Sequence, residues 1–277
     1  MTDVEQLRQW IGRRETRSEL LTPAMVERFR ATFDQTEEAR NGDVAPALIH
    51  FCVAPPAAPT ASLGPDGHPS RGGFLPPVSL PRRMWAGGAL TFHGDIRIGE
   101  TVTRHSTIGD VVAKEGRSGT LCFVTVNHRI ESDGVMVIEE RQDIVYRGVD
   151  DAGAAKKAAE PAPHGEHRMQ ITPSAALLFR YSALTFNGHR IHYDTPYVTK
   201  EEGYPGLIVH GPMQTTMLIQ LAQHIHGKRP RQFDFRSLSP LFDTADFTLN
   251  AQEDGEGLRL WTARIDGPVA MEARAAW

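Results

Sequence analysis

Residues 211–227 read GPMQTTMLIQLAQHIHG. Met213, Met217, Leu221 and Ile225 recur every fourth residue, and Leu218 and Ala222 widen the row into a broad apolar stripe. That period predicts an α-helix with a buried face. Gly211-Pro212 opens it, because proline early in a helix gives up an N–H that would have no partner there, and Gly227 ends it. A stripe this wide needs cover on several sides. The downstream segments 233–238, 242–252, 258–265 and 269–275 are strand candidates, separated by EDGEG at 253–257 and by Asp266-Gly267. Connections this short join antiparallel neighbours. The expected unit is a helix wrapped by a curled antiparallel sheet.

The first half of the chain carries a similar run of strands. Segments 102–112, 119–130 and 135–147 are rich in Val, Ile, Thr and Phe, with turns at Glu115-Gly116 and Ser132-Asp133-Gly134. A faint repeat links the halves. Thr22-Pro23 is followed after five residues by Phe29-Arg30, and Thr172-Pro173 after five by Phe179-Arg180. Threonine is a good N-cap and proline suits the first helical position, so each copy predicts a helix start. Between the copies, residues 149–163 (VDDAGAAKKAAEPAP) hold six alanines, two prolines and no aromatic side chain. Such a segment has little to bury and reads as a linker. Residues 1–148 and 164–277 are then two units, each of single-domain size.

Composition narrows the function. The 277 residues hold 30 basic and 34 acidic side chains, a net charge of −4, so no broad basic surface advertises nucleic-acid or anionic-membrane binding. Cys52 and Cys122 cannot form a disulfide framework and suggest a reducing compartment. The first fifteen residues lack the apolar core of a targeting signal, and apolar stretches such as 175–179 are far shorter than a membrane span. The expectation is a cytoplasmic protein. Gly72-Gly73 and Gly87-Gly88 lack the strand-to-helix context of a phosphate loop, and Gly87-Gly88 reads as a turn.

Residues 181–193, YSALTFNGHRIHY, place Asn187, His189, Arg190 and His192 within six positions. Three interpretations stand at this point. One is a polar surface loop. A second is a metal site through His189 and His192, which lacks a Cys or carboxylate partner at a usual zinc spacing. The third is a catalytic pair, Asn187 and His192, held in one turn.

The run 187–192 resembles the Asp-x-Asn-Pro-[Ile/Val]-His signature of the MaoC-like (R)-specific enoyl-CoA hydratases, with Asn187 for the aspartate, His189 for the asparagine and Arg190 for the proline. Residues 206–211 (GLIVHG) resemble the turn that enters that family's central helix. The wider run 182–194, with 85–88 (WAGG) and 114–119 (KEGRSG), is similar to the branch of hydroxyacyl-thioester dehydratase type 2 and mesaconyl-C4-CoA (itaconyl-CoA) hydratases. The resemblance implies an α+β double hot-dog, two tandem antiparallel sheets each around a central helix. It also implies water addition to an α,β-unsaturated acyl-CoA.

Such chemistry needs a base for water at Cβ, an acid at Cα and donors for the enolate oxygen. Histidine titrates near neutrality, so His192 is the candidate base. An amide cannot take a proton as a carboxylate does, so Asn187 holds and orients the water. The Gly211 N–H, at a helix N-terminus, is the candidate oxyanion donor. His210 is either a substrate contact or a structural cap, with the cap favoured. A 150-residue shift back from Asn187 and His192 lands on Glu37 and Gly42, so the first half has no such pair and serves to shape the pocket. Trp85, Phe92 and the Gly87-Gly88 turn are candidates to line it. His189, Arg190, Arg236 and Arg83 (or its neighbour Arg82) are candidate substrate contacts, since arginine pairs well with an acyl carboxylate or a CoA phosphate.

The implied activity is hydration of mesaconyl-C4-CoA or itaconyl-CoA to citramalyl-CoA, in itaconate degradation. The alternatives are a 3-hydroxyacyl-thioester dehydratase of fatty-acid synthesis and a non-catalytic acyl-CoA-binding protein, the latter favoured only by Asn187. No metal, cofactor, nucleic acid or membrane partner is expected. A homodimer is an expectation from the resemblance alone.

Overall fold

The computed structural model describes residues 4–116, 119–148 and 160–277. In the first half α1 (Val4–Arg8) leads into β1 (Arg14–Leu20) and α2 (Pro23–Thr32). Strands β2 (Arg82–Phe92), β3 (Thr101–Gly116), β4 (Gly119–Ser132) and β5 (Val135–Arg147) follow a long irregular stretch. The second half runs β6 (His167–Ile171), α3 (Ala175–Leu184), α4 (Thr195–Lys200) and α5 (Gly211–His226). Strands β7 (Gln232–Ser237), β8 (Phe247–Asp254), β9 (Gly257–Arg264) and β10 (Val269–Ala276) complete it.

All ten strands join one sheet in the order β1-β3-β4-β5-β2-β7-β10-β9-β8-β6. Every pairing is antiparallel. The second five strands mirror the first five, and the halves meet where β2 pairs with β7. This is the double hot-dog architecture.

The helix predicted from the 211–227 stripe spans Gly211–His226 and ends at Gly227, whose φ of 71° is left-handed. Met213, Met217, Leu218, Leu221 and Ala222 are buried against the second half's strands. The first half differs: no counterpart of α5 occurs among its described residues. Residues 45–81 contain nine prolines, which remove backbone donors and clash within a helix. The segment around the short 3-10 turn Ile49–Cys52 instead packs Leu48, Ile49, Cys52 and Val53 into a buried cluster with Leu90, Ile130 and Ile138.

Several expectations need correction. Gly87 and Gly88 are not a turn; they lie inside β2, opposite Arg236 and Phe235 of β7. They are glycines because the strands and the Phe235 ring press close. A Cβ on Gly87 would sit 2.6 Å from the Phe235 carbonyl oxygen. One on Gly88 would sit 2.5 Å from that of Arg141 and 2.7 Å from Phe235 Cζ. Both copies of the repeat lead into a helix, but their caps differ. Thr22 caps α2, its hydroxyl accepting the Met25 N–H, whereas α3 starts later, with Ser174 accepting from Leu177 N–H. Strand β8 begins at Phe247 instead of 242, because Phe242 makes only an isolated bridge to Ile208 and Asp243 turns to accept the Leu207 N–H. The linker proposed at 149–163 falls for residues 149–159 outside the described residues. Its end is docked, Ala162 N–H donating to Gly267 O and Pro163 O accepting from Trp261 Nε1.

The close packing at the seam predicts a cost for any side chain there. Gly88→Ala is expected to overpack β2 against Phe235 by about 1–3 kcal/mol, lowering Tm by roughly 2–10 °C. Thermal unfolding followed by circular dichroism measures this; an unchanged Tm contradicts the packing argument.

Candidate active site

The chain leaves α3 at Thr185, whose hydroxyl donates back to Tyr181 O, and Phe186 takes a left-handed turn with φ of 49°. Asn187 follows, its Oδ1 accepting the His189 backbone N–H at 3.0 Å. This local Asx bond fixes the turn and leaves the Asn187 amide N–H₂ as the group free to donate outward. His189 then caps a short 3-10 turn, Arg190–His192, which places His192 in the interior.

His192 is buried, with Nδ1 2.7 Å from Ile208 O. Because a carbonyl only accepts, Nδ1 carries the proton and Nε2 is the open acceptor. Burial pushes the His192 pKa down to about 4, against the opposing pull of the Ile208 carbonyl and with a further downward push from His68. The ring stacks on His210 at 3.6 Å and 15°, and His189 meets it edge-on at 5.5 Å. Both neighbours are also held neutral. Burial is the main cause in each, with repulsion from the adjacent imidazoles adding to it.

His210 occupies the N-cap position of α5 but makes no side-chain capping bond. Its ring turns inward, Nε2 2.8 Å from Ser182 Oγ, while Nδ1 is buried without a partner. The favoured role as a structural cap is therefore corrected: His210 backs His192. The next residue, Gly211, starts α5, where the first N–H groups lack intrahelical acceptors. A Cβ on Gly211 would lie 3.2 Å from the Trp85 ring. Trp85 on β2 packs against Phe51 and Phe235, and its Nε1 is buried without a partner. The seam thus sets an aromatic wall from the first half against the helix start of the second.

The arginines divide. Arg190 is committed within the protein: it pairs with Asp194 at 2.9 Å, donates to Pro65 O and lies over the Tyr197 ring. Arg82 donates to Glu202 O and covers Tyr204. Arg236 is exposed on β7, where alternation turns it to the face opposite Phe235, so it is not brought to the His192 side. Arg83 is the one whose charge is felt by both His68 and His189.

The residues that sequence reasoning missed are Asp66, His68 and Ser182. Asp66 and His68 arrive on a first-half loop lying directly on the 187–190 turn. Arg190 N–H donates to Asp66 O, and the His68 ring is 4.0 Å from that of His189. The available signal was the carboxylate two residues before a histidine in a Pro/Gly-rich run, PDGHP at 65–69. A separate groove of about 840 Å³, lined by none of these histidines, opens between α2 and α3. Its lining includes Arg17, Arg28, Arg180 and, next to Asn187, Phe186. Among the described residues no helix is long and apolar enough to cross a membrane.

Comparison with known proteins gives a consistent picture. Residues 47–243 match the profile of the family described as hydroxyacyl-thioester dehydratase type 2. The chain is 44% identical over 270 residues to the mesaconyl-C(4)-CoA hydratase of Chloroflexus aurantiacus, covering 95% of each. It is 28% identical to the mitochondrial hydroxyacyl-thioester dehydratase type 2 of Schizosaccharomyces pombe, over 89% of this chain and 92% of that one. Among solved structures it resembles a MaoC-like dehydratase from Phytophthora capsici, with TM-score 0.71 and 14% identity over 99% and 97% of the chains.

Burial of these imidazoles ties stability to pH. The unfolded chain protonates His192 below about pH 6.5, whereas the folded chain resists until about 4. The unfolded state therefore binds more protons in that window, and stability falls as pH drops through it, by roughly 3 kcal/mol from His192 alone. The urea midpoint of His192→Gln should decline less between pH 6.5 and 4 than that of the wild type. Parallel declines would contradict the assignment.

Proposed function

Because the chain belongs to the hydroxyacyl-thioester dehydratase type 2 family, we propose that it is a hydro-lyase that hydrates mesaconyl-C4-CoA or itaconyl-CoA to citramalyl-CoA. The observation that carries the reading is His192, a buried neutral imidazole with Nδ1 fixed on Ile208 and Nε2 open, beside the start of α5. A neutral Nε2 can take a proton from water as its oxygen attacks Cβ. The Asn187 amide N–H₂ orients that water. In mesaconyl-C4-CoA, whose double bond is conjugated with the thioester, the electron pair moves to the thioester oxygen, where the Gly211 N–H, reinforced by the helix dipole, stabilises the enolate.

In this reading the residues upstream of the linker shape the pocket, and residues 164–277 carry His192, Asn187 and Gly211. The acyl-CoA arm enters by the α2/α3 groove, whose arginines suit the CoA phosphates, and runs past His192 toward Arg83. Arg83 receives the free carboxylate of a C5-dicarboxylic acyl group; His189 and Trp85 line the path. Arg190 acts by fastening the 187–192 turn, and Arg236 is a contact only for the outer part of CoA. Two free, buried cysteines suit a reducing cytoplasm. The enzyme would serve itaconate degradation, as a chain that pairs its own halves and can dimerise further.

A second reading, dehydration of 3-hydroxyacyl thioesters in fatty-acid synthesis, is favoured by the name that the family and the S. pombe relative share. His192→Ala should lower kcat by about 100-fold or more on the true substrate; undiminished turnover would sink the assignment. Side-by-side assays should show mesaconyl-C4-CoA preferred to crotonyl-CoA, and the reverse preference selects the second reading. Arg83→Met should raise KM for mesaconyl-C4-CoA by roughly tenfold or more while leaving crotonyl-CoA nearly unaffected, the loss of one charged hydrogen bond. Equal effects on both substrates would contradict the carboxylate role.

A further inference from the structure

Hydration leaves one group unassigned: the acid that protonates Cα. In the resembled signature a carboxylate stands at position 187, and here Asn187 cannot give or take that proton. The structure brings a different carboxylate to the seam. Asp66 accepts the His68 backbone N–H at Oδ1 (3.0 Å) and lies with Oδ2 3.2 Å from His68 Nδ1. One oxygen thus fixes the His68 backbone and the other its ring Nδ1, leaving His68 Nε2 as the ring nitrogen without an Asp66 contact. This is the carboxylate–imidazole arrangement that fixes a tautomer and stabilises an imidazolium.

The loop is fastened across the seam. Arg190 N–H donates to Asp66 O at 2.9 Å, and Arg190 Nη1 donates to Pro65 O at 2.9 Å. Gly67, at φ of 84°, lies so close to Gly188 that a Cβ would run into the Gly188 carbonyl. The His68 ring consequently lies 4.0 Å from that of His189, tilted by 41°, and His189 in turn meets His192 at 5.5 Å.

We propose that His68, held by Asp66, is a catalytic residue from the first half and the proton donor to Cα in the hydration described above, on whose reading this inference rests. Of the four imidazoles at the seam, His68 has a carboxylate on its ring nitrogen. His192 faces the Ile208 carbonyl and His210 the Ser182 hydroxyl. Burial lowers the His68 pKa too, but the Asp66 hydrogen bond opposes it, so among these four rings a proton is best held on His68. His192 Nε2 takes a water proton as the oxygen bonds to Cβ. The π pair passes to the thioester oxygen, and the returning pair takes the proton from His68 Nε2 to form the Cα–H bond. The proton on His192 then restores His68 by way of solvent and His189, and one water has been added in sum.

Asp66, His68 and His189 also bring three potential metal-ligating atoms within 4.8 Å of one another. The geometry favours the dyad. Both Asp66 oxygens already accept from His68, one from its backbone N–H and one facing its ring Nδ1. The charges facing His68 are Asp66 and Arg71 on its own segment, Arg83 from β2, and His189 and His192 from the second half.

The test is the pH profile of kcat on mesaconyl-C4-CoA for wild type, Asp66→Asn and His68→Gln. The wild type should lose kcat on the alkaline side, as His68 deprotonates. Asp66→Asn removes the charge that holds the proton, so the alkaline limb should move down by about one pH unit or more, with KM changed less than about threefold. A purely structural role for Asp66 would not move that limb. His68→Gln should lower kcat by about 100-fold or more. An unmoved limb in Asp66→Asn, near-normal kcat in His68→Gln, or activity lost to EDTA and restored by a divalent cation overturns the dyad. If wild type turns over the substrate and the limb stays put, the dyad alone fails. Absence of wild-type turnover on both mesaconyl-C4-CoA and crotonyl-CoA removes the functional reading and the dyad together.

Discussion

The antiparallel pairing of β2 with β7 joins two five-stranded halves, and everything at the candidate site depends on how tightly that seam closes. Gly87 and Gly88 face Arg236 and Phe235 there, with no room for a Cβ on either glycine. The approach lets the Phe235 ring lie over Gly88 and against Trp85, and Trp85 reaches the start of α5. A wider seam would leave Trp85 short of Gly211 and lift the 65–68 loop from the 187–190 turn. Neither half alone presents both the helix start and its wall.

Closure also sets the electrostatics. Packing three second-half histidines into the interior costs each its charged form, because desolvation penalises an imidazolium. For His192 that leaves a pKa of about 4 and a neutral ring at working pH. Stacking His210 behind it adds a second neutral ring, fixed by Ser182, which holds the His192 ring in place. The orphaned Trp85 Nε1 and His210 Nδ1 mark the same region as one with unmet polar groups, as binding sites have. The chain bears some instability at low pH in exchange for an imidazole ready to accept a proton.

Much of this was legible in the sequence, and the failures share a cause. The α5 stripe, its Gly-Pro start and its Gly227 stop follow from local periodicity and capping, as do the hairpins of β3–β5 and β8–β10. Asn187, His192 and Gly211 could be singled out because they sit near one another along the chain or at a helix end. Strand β2 was missed because Gly87-Gly88 has turn chemistry; only the distant partner strand β7 explains those glycines. The inward turn of His210 was missed for the same reason, since Ser182 and His192, not the helix, decide it. Asp66 and His68 reach the site through a long proline-rich loop whose docking partner, Arg190, read locally as a substrate contact.

The central claim is that one site spans the seam, with the base and the oxyanion donor from the second half and the walls and His68 from the first. It is tested most directly by a crystal structure with a non-hydrolysable thioether analogue of citramalyl-CoA. The account predicts the acyl group between Trp85 and the start of α5, with its hydroxyl within hydrogen-bond distance of His192 Nε2 and its carboxylate toward Arg83. An acyl group lying wholly within the α2/α3 groove, away from His192, would contradict it.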